Sequence, residues 1–336
     1  MLSFWPVGTT ASVRTPGSTP ISPARGDPIS CCAGHADMSG LNILVAGGDG
    51  RLGRALRRTM WPSGVLVHFM SRAQLDVSCP NSVAAAFGAQ SYGLVINAAA
   101  YTDVERAEEE VGAAFRVNAC GPAVLAEAAR HAGAKMIHVS TDFVFDGEGP
   151  HREEGVTAPC NVYGASKRAG ELAVLSGLQD AVILRTAWLF DADGPNFVTS
   201  MLKRASAETV SAVTDEQGSP TAVGDLARAI VCLVESMLAD GERRGGRIMH
   251  FANQGWATRY ELAEAAFDVW AQCGQRTPRL LPVLAAEFAA KAKRPKDSRL
   301  DCDIFTQVTG LRSRPWRAAL EEVVMAIARR ERGAGS

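Results

Sequence analysis

From Leu41 onward the chain alternates short, nearly continuous apolar runs with longer stretches whose apolar residues recur every three or four positions. The first kind suits a strand buried on both faces and the second an amphipathic helix; their alternation marks βαβ units around a parallel sheet. The pattern predicts strands at Leu41–Ala46, Val65–Met70, Leu94–Ala98, Lys135–Ser140 and Ala181–Arg185. It predicts helices at Gly50–Met60 (stopped by Trp61-Pro62), Ala113–His131 (stopped by Gly133) and Asn161–Leu175. The expected class is α/β, a Rossmann-type doubly wound sheet of six or seven parallel strands with helices on both faces. Beyond Arg185 the pattern loosens into helices at Asn196–Ala207, Gly224–Ala239, Arg259–Gln272 and Arg317–Arg330, with short strands near Val210 and Ile248. The sheet domain is therefore expected over 41–190. A smaller lobe, with some elements returning to the sheet, is expected over 191–332.

Residues 1–40 show no such period and are rich in Ser, Thr, Pro and Gly. They read as a disordered tail, or as a start assigned upstream of a true beginning at Met38. The segment lacks the amphipathic pattern of a transit peptide and the apolar core of a signal peptide. Charge narrows the partners: 35 Lys and Arg stand against 36 Asp and Glu with no block of one sign. That balance argues against nucleic acid or a membrane surface as partner. No apolar run reaches the ~20 residues needed to span a bilayer. The eight cysteines are scattered, apart from Cys31-Cys32, and form no Cys-x-x-Cys. They are expected to fill small apolar core sites of a cytoplasmic protein, with no metal site.

Between the first strand and the first helix lies Gly47-Gly48-Asp49-Gly50-Arg51-Leu52-Gly53. Such a turn lets backbone approach a pyrophosphate closely, while the opening of the helix around Gly50, Arg51 and Leu52 offers N–H donors to the anion. Gly53 permits close packing of helix on strand. The plainer alternative is an ordinary tight turn, but the strand–turn–helix setting favours a nicotinamide dinucleotide. Strand two ends at Ser71-Arg72, without the acidic residue that usually bonds the ribose of NAD. Arg72 suits the 2′-phosphate of NADPH, so NADPH is favoured and NADH left open. Leu75-Asp76-Val77 resembles the Asp-hydrophobic step that contacts the adenine in short-chain dehydrogenases, and Ala98, Ala99 and Ala100 are expected where the chain passes under the cofactor.

Tyr163 and Lys167 sit four residues apart on one helix face. A free phenol titrates near ~10, and a neighbouring ammonium lowers that value, so the phenol trades protons as acid or base. Lys167 also reaches the nicotinamide ribose. Thr141, at the carboxyl end of the fourth strand, donates to a substrate oxygen.

In Asn97-Ala-Ala-Ala-Tyr-Thr-Asp103, Ser140-Thr-Asp-Phe-Val-Phe-Asp-Gly147, Tyr163-Gly-Ala-Ser-Lys-Arg-Ala-Gly-Glu171, Arg185-Thr-Ala-Trp188, Asn196-Phe197, Asp215-Glu-Gln-Gly-Ser-Pro-Thr221 and Arg294-Pro-Lys-Asp-Ser298, the chain from Leu41 on resembles the dTDP-4-dehydrorhamnose reductase family of extended short-chain dehydrogenase/reductases. The resemblance implies reduction of a nucleotide-linked 4-ketosugar to dTDP-L-rhamnose by NAD(P)H, with Tyr163 as proton donor. It places Asp142 and Trp188 at the sugar, Asn196 and the Gln217–Thr221 loop on the nucleotide side, and Arg294 at the diphosphate. The plainer readings are core for Trp188 and a surface ion pair for Arg294. Glu108-Glu109-Glu110 reads as a solvated face, and Asp49 is awkward beside a phosphate. A homodimer is left open. Dehydratases of this fold carry Thr-Asp-Glu where this chain has Thr141-Asp142-Phe143, so elimination lacks its base. A related epimerase, and the regulatory subunit of methionine adenosyltransferase with the same fold, are the competing readings.

Overall fold

The computed structural model describes residues 40–239 and 246–334, so the expectations for the tail lie, Gly40 apart, outside the described residues. Six parallel strands form the main sheet: β1 (Asn42–Ala46), β2 (Leu66–Met70), β3 (Leu94–Asn97), β4 (Lys135–Thr141), β5 (Ala181–Thr186) and β6 (Arg247–His250), in the order β2-β1-β3-β4-β5-β6. The order reverses between β1 and β3, the switch point where such sheets bind ligands beyond their carboxyl ends.

Alternate residues of the same strands fill two cores, which is why these runs are apolar throughout. Ile43, Val45, Ile96 and Leu184 pack with α1 (Arg51–Arg58) and with Leu226, Ile230 and Leu233 on one face. Leu44, Val95, Met136 and Ile183 pack with Val83, Leu125 and Val174 on the other. The helix Pro80–Ala89, which carries Val83, was not predicted. The expected helix Ala113–His131 is broken by a π turn at Arg116–Cys120 between Val111–Phe115 and Gly121–Ala132. Gly133 ends it in the left-handed region, φ 68°. The π turn has a use: Asn118, buried within it, bonds the backbone of Tyr101 through both ends of its amide and donates to Ser166. It thereby fixes the loop after β3 against α2 (Val162–Gly177).

After β5 the chain builds a third core, in which Phe190, Val198, Leu202, Phe267, Trp270, Trp316 and Leu320 meet. The strand expected near Val210, Thr209–Val213, pairs in parallel with Arg279–Val283. The strand near Ile248 instead returns as β6 of the main sheet, and α3 (Val223–Ala239) covers a sheet face. Among the described residues no helix is long and apolar enough to cross a membrane. Cys232 fills a buried site in the first core as expected, whereas Cys79 and Cys120 are exposed and Cys160, Cys273 and Cys302 only partly covered, because they sit at helix ends and in loops rather than under the sheet.

Candidate active site

The carboxyl ends of β1, β3, β4 and β5 open into a cleft of about 910 Å³. Its lining brings together Gly47, Gly50, Arg51, Leu52, Arg72, Asp76, Val77 and Ala98–Ala100 on the β1–β3 side. Thr141, Asp142, Tyr163, Lys167, Trp188 and Asn196 line the remainder. Of the residues expected at the site, Gly53, the Gln217–Thr221 loop and Arg294 are outside this lining.

Gly47 turns at φ 81°, and a Cβ there would lie 2.8 Å from the Ala99 nitrogen. A Cβ at Gly53 would lie 2.3 Å from the Gly47 oxygen, so Gly53 works beneath the turn, seating α1 against it. Gly50 caps α1 without a side-chain hydrogen bond, and the first turn of the helix has no acidic residue. The N–H groups there remain free for an anion. Asp49 does not intrude: it is exposed and points towards Arg57 at 3.9 Å. Arg51 crosses the cleft to the Leu189 and Pro195 carbonyls. Arg72 is 83 % exposed and, among the described residues, pairs with Asp76 alone, at 4.0 Å. Asp76 is held by Ser78, whose two hydrogen bonds lower its pKa.

The cleft therefore fits a dinucleotide on its own geometry. Glycines clear the backbone at the turn, and the helix start is uncapped. Deeper in, Ser140 Oγ and Thr186 Oγ1 are buried lining atoms without a protein partner. Orphaned polar atoms in a cleft are the mark of a ligand that completes them.

α2 begins at Asn161, whose side chain accepts from Gly164 N at 2.7 Å, and Glu108 accepts from Val162 N at 2.8 Å. The expected solvated face holds for Glu109, exposed beside Lys291, but not for its neighbours: Glu108 caps α2, and Glu110 bonds Tyr101 and Arg106. The fold folds that run back onto α2 and the 291 segment, which sequence spacing does not reveal.

The Tyr163 hydroxyl neighbours that of Thr141, which itself donates to Asp142 Oδ1 at 3.0 Å, and Phe143 packs its ring edge-on to Tyr163 at 5.8 Å. The expected lowering of the Tyr163 pKa is not found. Burial, with the Asp142 charge, pushes it up to about 12, while Lys167 turns its Nζ to the Val139 carbonyl at 2.7 Å. A phenol so placed keeps its proton, the form in which a reductase uses it. Burial brings Lys167 down to about 8, opposed by the Glu171 carboxylate, so the ammonium persists at neutral pH.

Asp142 is pushed up to about 6 by burial, against the neighbouring Ser298 hydroxyl, the hydrogen bond from Thr141 and the charge of Arg259. The unfolded chain loses this proton near 3.8, the native one only near 6. Native stability therefore falls as pH rises through that window and stays lowered above it. Asp142→Asn is expected to raise stability at pH 7 by roughly 2–3 kcal/mol, with the gain fading as pH falls from about 6 to about 4. Thermal melts across pH check this; a difference that does not change with pH contradicts it.

Trp188 stands in the left-handed region at φ 42°, a strain of ~1–3 kcal/mol that functional sites tolerate. Gly218 makes room for its indole, since a Cβ there would lie 2.2 Å from Cε2. Arg259 stacks on it at 3.5 Å and lies 5.1 Å from the Phe197 ring. Arg259 was missed in the sequence. It lines the cleft and, among the described residues, has no hydrogen bond, so its donors face the ligand space uncommitted. Glu216 and Asp142 act on it only at longer range. Asn196 lines the cleft, but its amide is committed: Oδ1 caps Phe197–Leu202 through Thr199 N, and Nδ2 donates to Asp191. Arg294 donates to Glu105 at 2.7 Å, the ion pair of the plainer reading. In the Gln217–Thr221 loop, Gln217 N donates to Lys296 O, which holds the loop to the 294–298 segment.

The family model described as the RmlD substrate binding domain matches residues 41–329. A dTDP-4-dehydrorhamnose reductase of Sinorhizobium fredii is 34% identical over 290 residues, covering 85% of this chain and 98% of the relative. One of Streptomyces griseus is 40% identical over 289 residues, covering 84% and 93%. The crystal structure of a Bacillus anthracis dTDP-4-dehydrorhamnose reductase in complex with NADP superposes with a TM-score of 0.78 at 32% identity, covering 85% of this chain and 99% of that one. With its fold, its cleft and these relatives in agreement, the chain belongs to the dTDP-4-dehydrorhamnose reductase family.

Proposed function

We propose that this protein reduces the 4-keto group of dTDP-4-dehydro-6-deoxy-L-mannose to give dTDP-L-rhamnose, using NADPH. The observation that carries the reading is that the Thr141 and Tyr163 hydroxyls neighbour each other in a cleft whose other end is a glycine turn. When bound, the reduced nicotinamide supplies the hydride to C4. Thr141 and Tyr163 hold the ketone oxygen between two hydroxyls, and Tyr163 gives its proton to that oxygen as charge develops on it. Lys167, buried and cationic with its Nζ on the Val139 carbonyl, lines the cleft where it would bond the nicotinamide ribose. Asp142 and the Arg259–Trp188 stack bound the sugar side of the cleft, and the uncommitted guanidinium suits a diphosphate. Phe143 puts an aromatic edge where an elimination base would stand, which favours reduction over dehydration.

The cofactor's 2′-phosphate falls to Arg72, whose side chain is exposed and has only a loose partner in Asp76. Arg72→Ala is expected to weaken NADPH binding ~10-fold, the scale of one charge-assisted contact, and to leave NADH unchanged. Fluorescence titration with both cofactors measures it, and an equal loss for both overturns the assignment. The reaction itself is tested by stoichiometry. One NADPH is expected to be oxidised for each 4-keto sugar nucleotide consumed, whereas an epimerase consumes no net cofactor and a regulatory subunit none at all.

A further inference from the structure

Behind the catalytic residues lies a buried charged cluster that the reaction does not touch. Arg185, 1 % exposed at the end of β5, forks onto Glu171 of α2, with Nε to Oε1 and Nη2 to Oε2 both at 2.8 Å. Its third nitrogen, Nη1, reaches the Glu153 carbonyl and His250 Nε2, each at 3.4 Å. The guanidinium lies over the Phe145 ring at 4.8 Å, and Phe145 stacks on His151 at 4.4 Å. Arg168 adds a second clasp, bonding both Glu171 and Thr157. One side chain therefore touches α2, which carries Tyr163 and Lys167, and also Phe145 and Glu153, in the segment that runs on from Thr141.

We propose that Arg185, through its fork with Glu171, is a positioning residue that sets the Thr141–Tyr163 contact. The inference rests on the reductase reading for its kinetic consequence, though not for its geometry. A planar fork gripping a carboxylate at both oxygens fixes distance and angle together, which a single apolar contact does not. Glu171 is one helical turn beyond Lys167, so rotation of α2 about its axis moves the fork and the two catalytic heads as one body. A neutral pair of apolar residues of similar length fills the same space but leaves that rotation unset.

Glu171 has a second consequence. The titratable groups that act on the Lys167 ammonium are Glu171 on its own helix and neutral His138 from β4, with Arg185 behind Glu171. Glu171 is the carboxylate that opposes the effect of burial on Lys167.

The test uses Glu171→Met/Arg185→Met, which removes both buried charges together and is the change a fold tolerates best. It is paired with Arg185→Lys and Glu171→Gln in the full chain. The double variant is expected to fold and to keep NADPH affinity and KM for the 4-keto sugar nucleotide within about threefold, while kcat falls ~10–100-fold, the cost of sub-ångström misplacement of a proton donor. Arg185→Lys, which keeps the charge but loses the fork, is expected not to restore kcat. Glu171→Gln is expected to move the alkaline limb of the kcat profile to lower pH. With four tyrosines in the chain, ring-labelled tyrosine NMR gives a readout that needs no turnover. The Tyr163 signal, identified by its loss in Tyr163→Phe, is expected to shift in the double variant while the other three stay. A wild-type protein that turns over no 4-keto sugar nucleotide defeats the reductase reading, and the Tyr163 signal then decides the positioning by itself. Wild-type kcat, an unmoved Tyr163 signal, rescue by lysine, or a double variant that fails to fold each overturn the proposal.

Discussion

Tyr163→Phe is expected to lower kcat ~10²–10⁴-fold while NADPH affinity stays within a few-fold of wild type. The phenol is the cleft group placed to hold its proton to the moment of transfer. Burial and the nearby Asp142 keep it protonated up to about 12, with Thr141 beside its hydroxyl. Phenylalanine fills the same volume against Phe143, so packing and the seat of the cofactor survive. The loss is then confined to a proton and a hydrogen bond, and shows in kcat rather than KM. Normal turnover in this variant would remove Tyr163 as the donor and with it the proposed chemistry.

Gly53→Ala is expected to be the most damaging change at the cofactor end. The added Cβ meets the Gly47 oxygen at 2.3 Å, the Gly48 oxygen at 2.6 Å and the Gly48 carbonyl carbon at 2.7 Å. These are backbone atoms of the turn and cannot swing aside as a side-chain tip does. Overpacking of this kind costs ~1–3 kcal/mol, and here relief requires moving the turn itself. NADPH affinity is expected to fall at least ~100-fold alongside a lowered Tm, because displaced N–H groups no longer converge on the pyrophosphate. Titration and melting curves on the same preparation measure both, and unchanged NADPH affinity would show that the turn does not bind the cofactor.

Much of this was legible in the chain. The five strands β1 to β5 came from continuous apolar runs, since parallel strands buried on both faces leave no other signature. The glycine turn, Thr141, Tyr163 and Lys167 were legible because each site is local: a turn, a strand end, one helix face. What escaped depends on distant parts meeting. Arg259 opens a helix in the smaller lobe, and only the closed fold lays it on Trp188. Glu108 looks solvated until α2 presents the Val162 N–H to it. Asn196 had the right residue type for a ligand, yet the helix beginning at Phe197 claims its amide first. The π turn at Arg116–Cys120 leaves the apolar period almost intact and so reads as plain helix. Likewise the Tyr163–Lys167 spacing implies mutual tuning, whereas the packing sends Lys167 to Val139 and burial raises Tyr163.

The central claim is hydride delivery to C4 of a nucleotide-linked 4-ketosugar, and one measurement addresses it directly. The protein is incubated with dTDP-4-dehydro-6-deoxy-L-mannose and NADPH deuterated in turn at each face of the nicotinamide C4, and the product is read by NMR. The account predicts dTDP-L-rhamnose carrying a single deuterium at C4 with one of the two labelled cofactors. A product without deuterium at C4 from either cofactor, or a keto sugar returned unreduced, would contradict it.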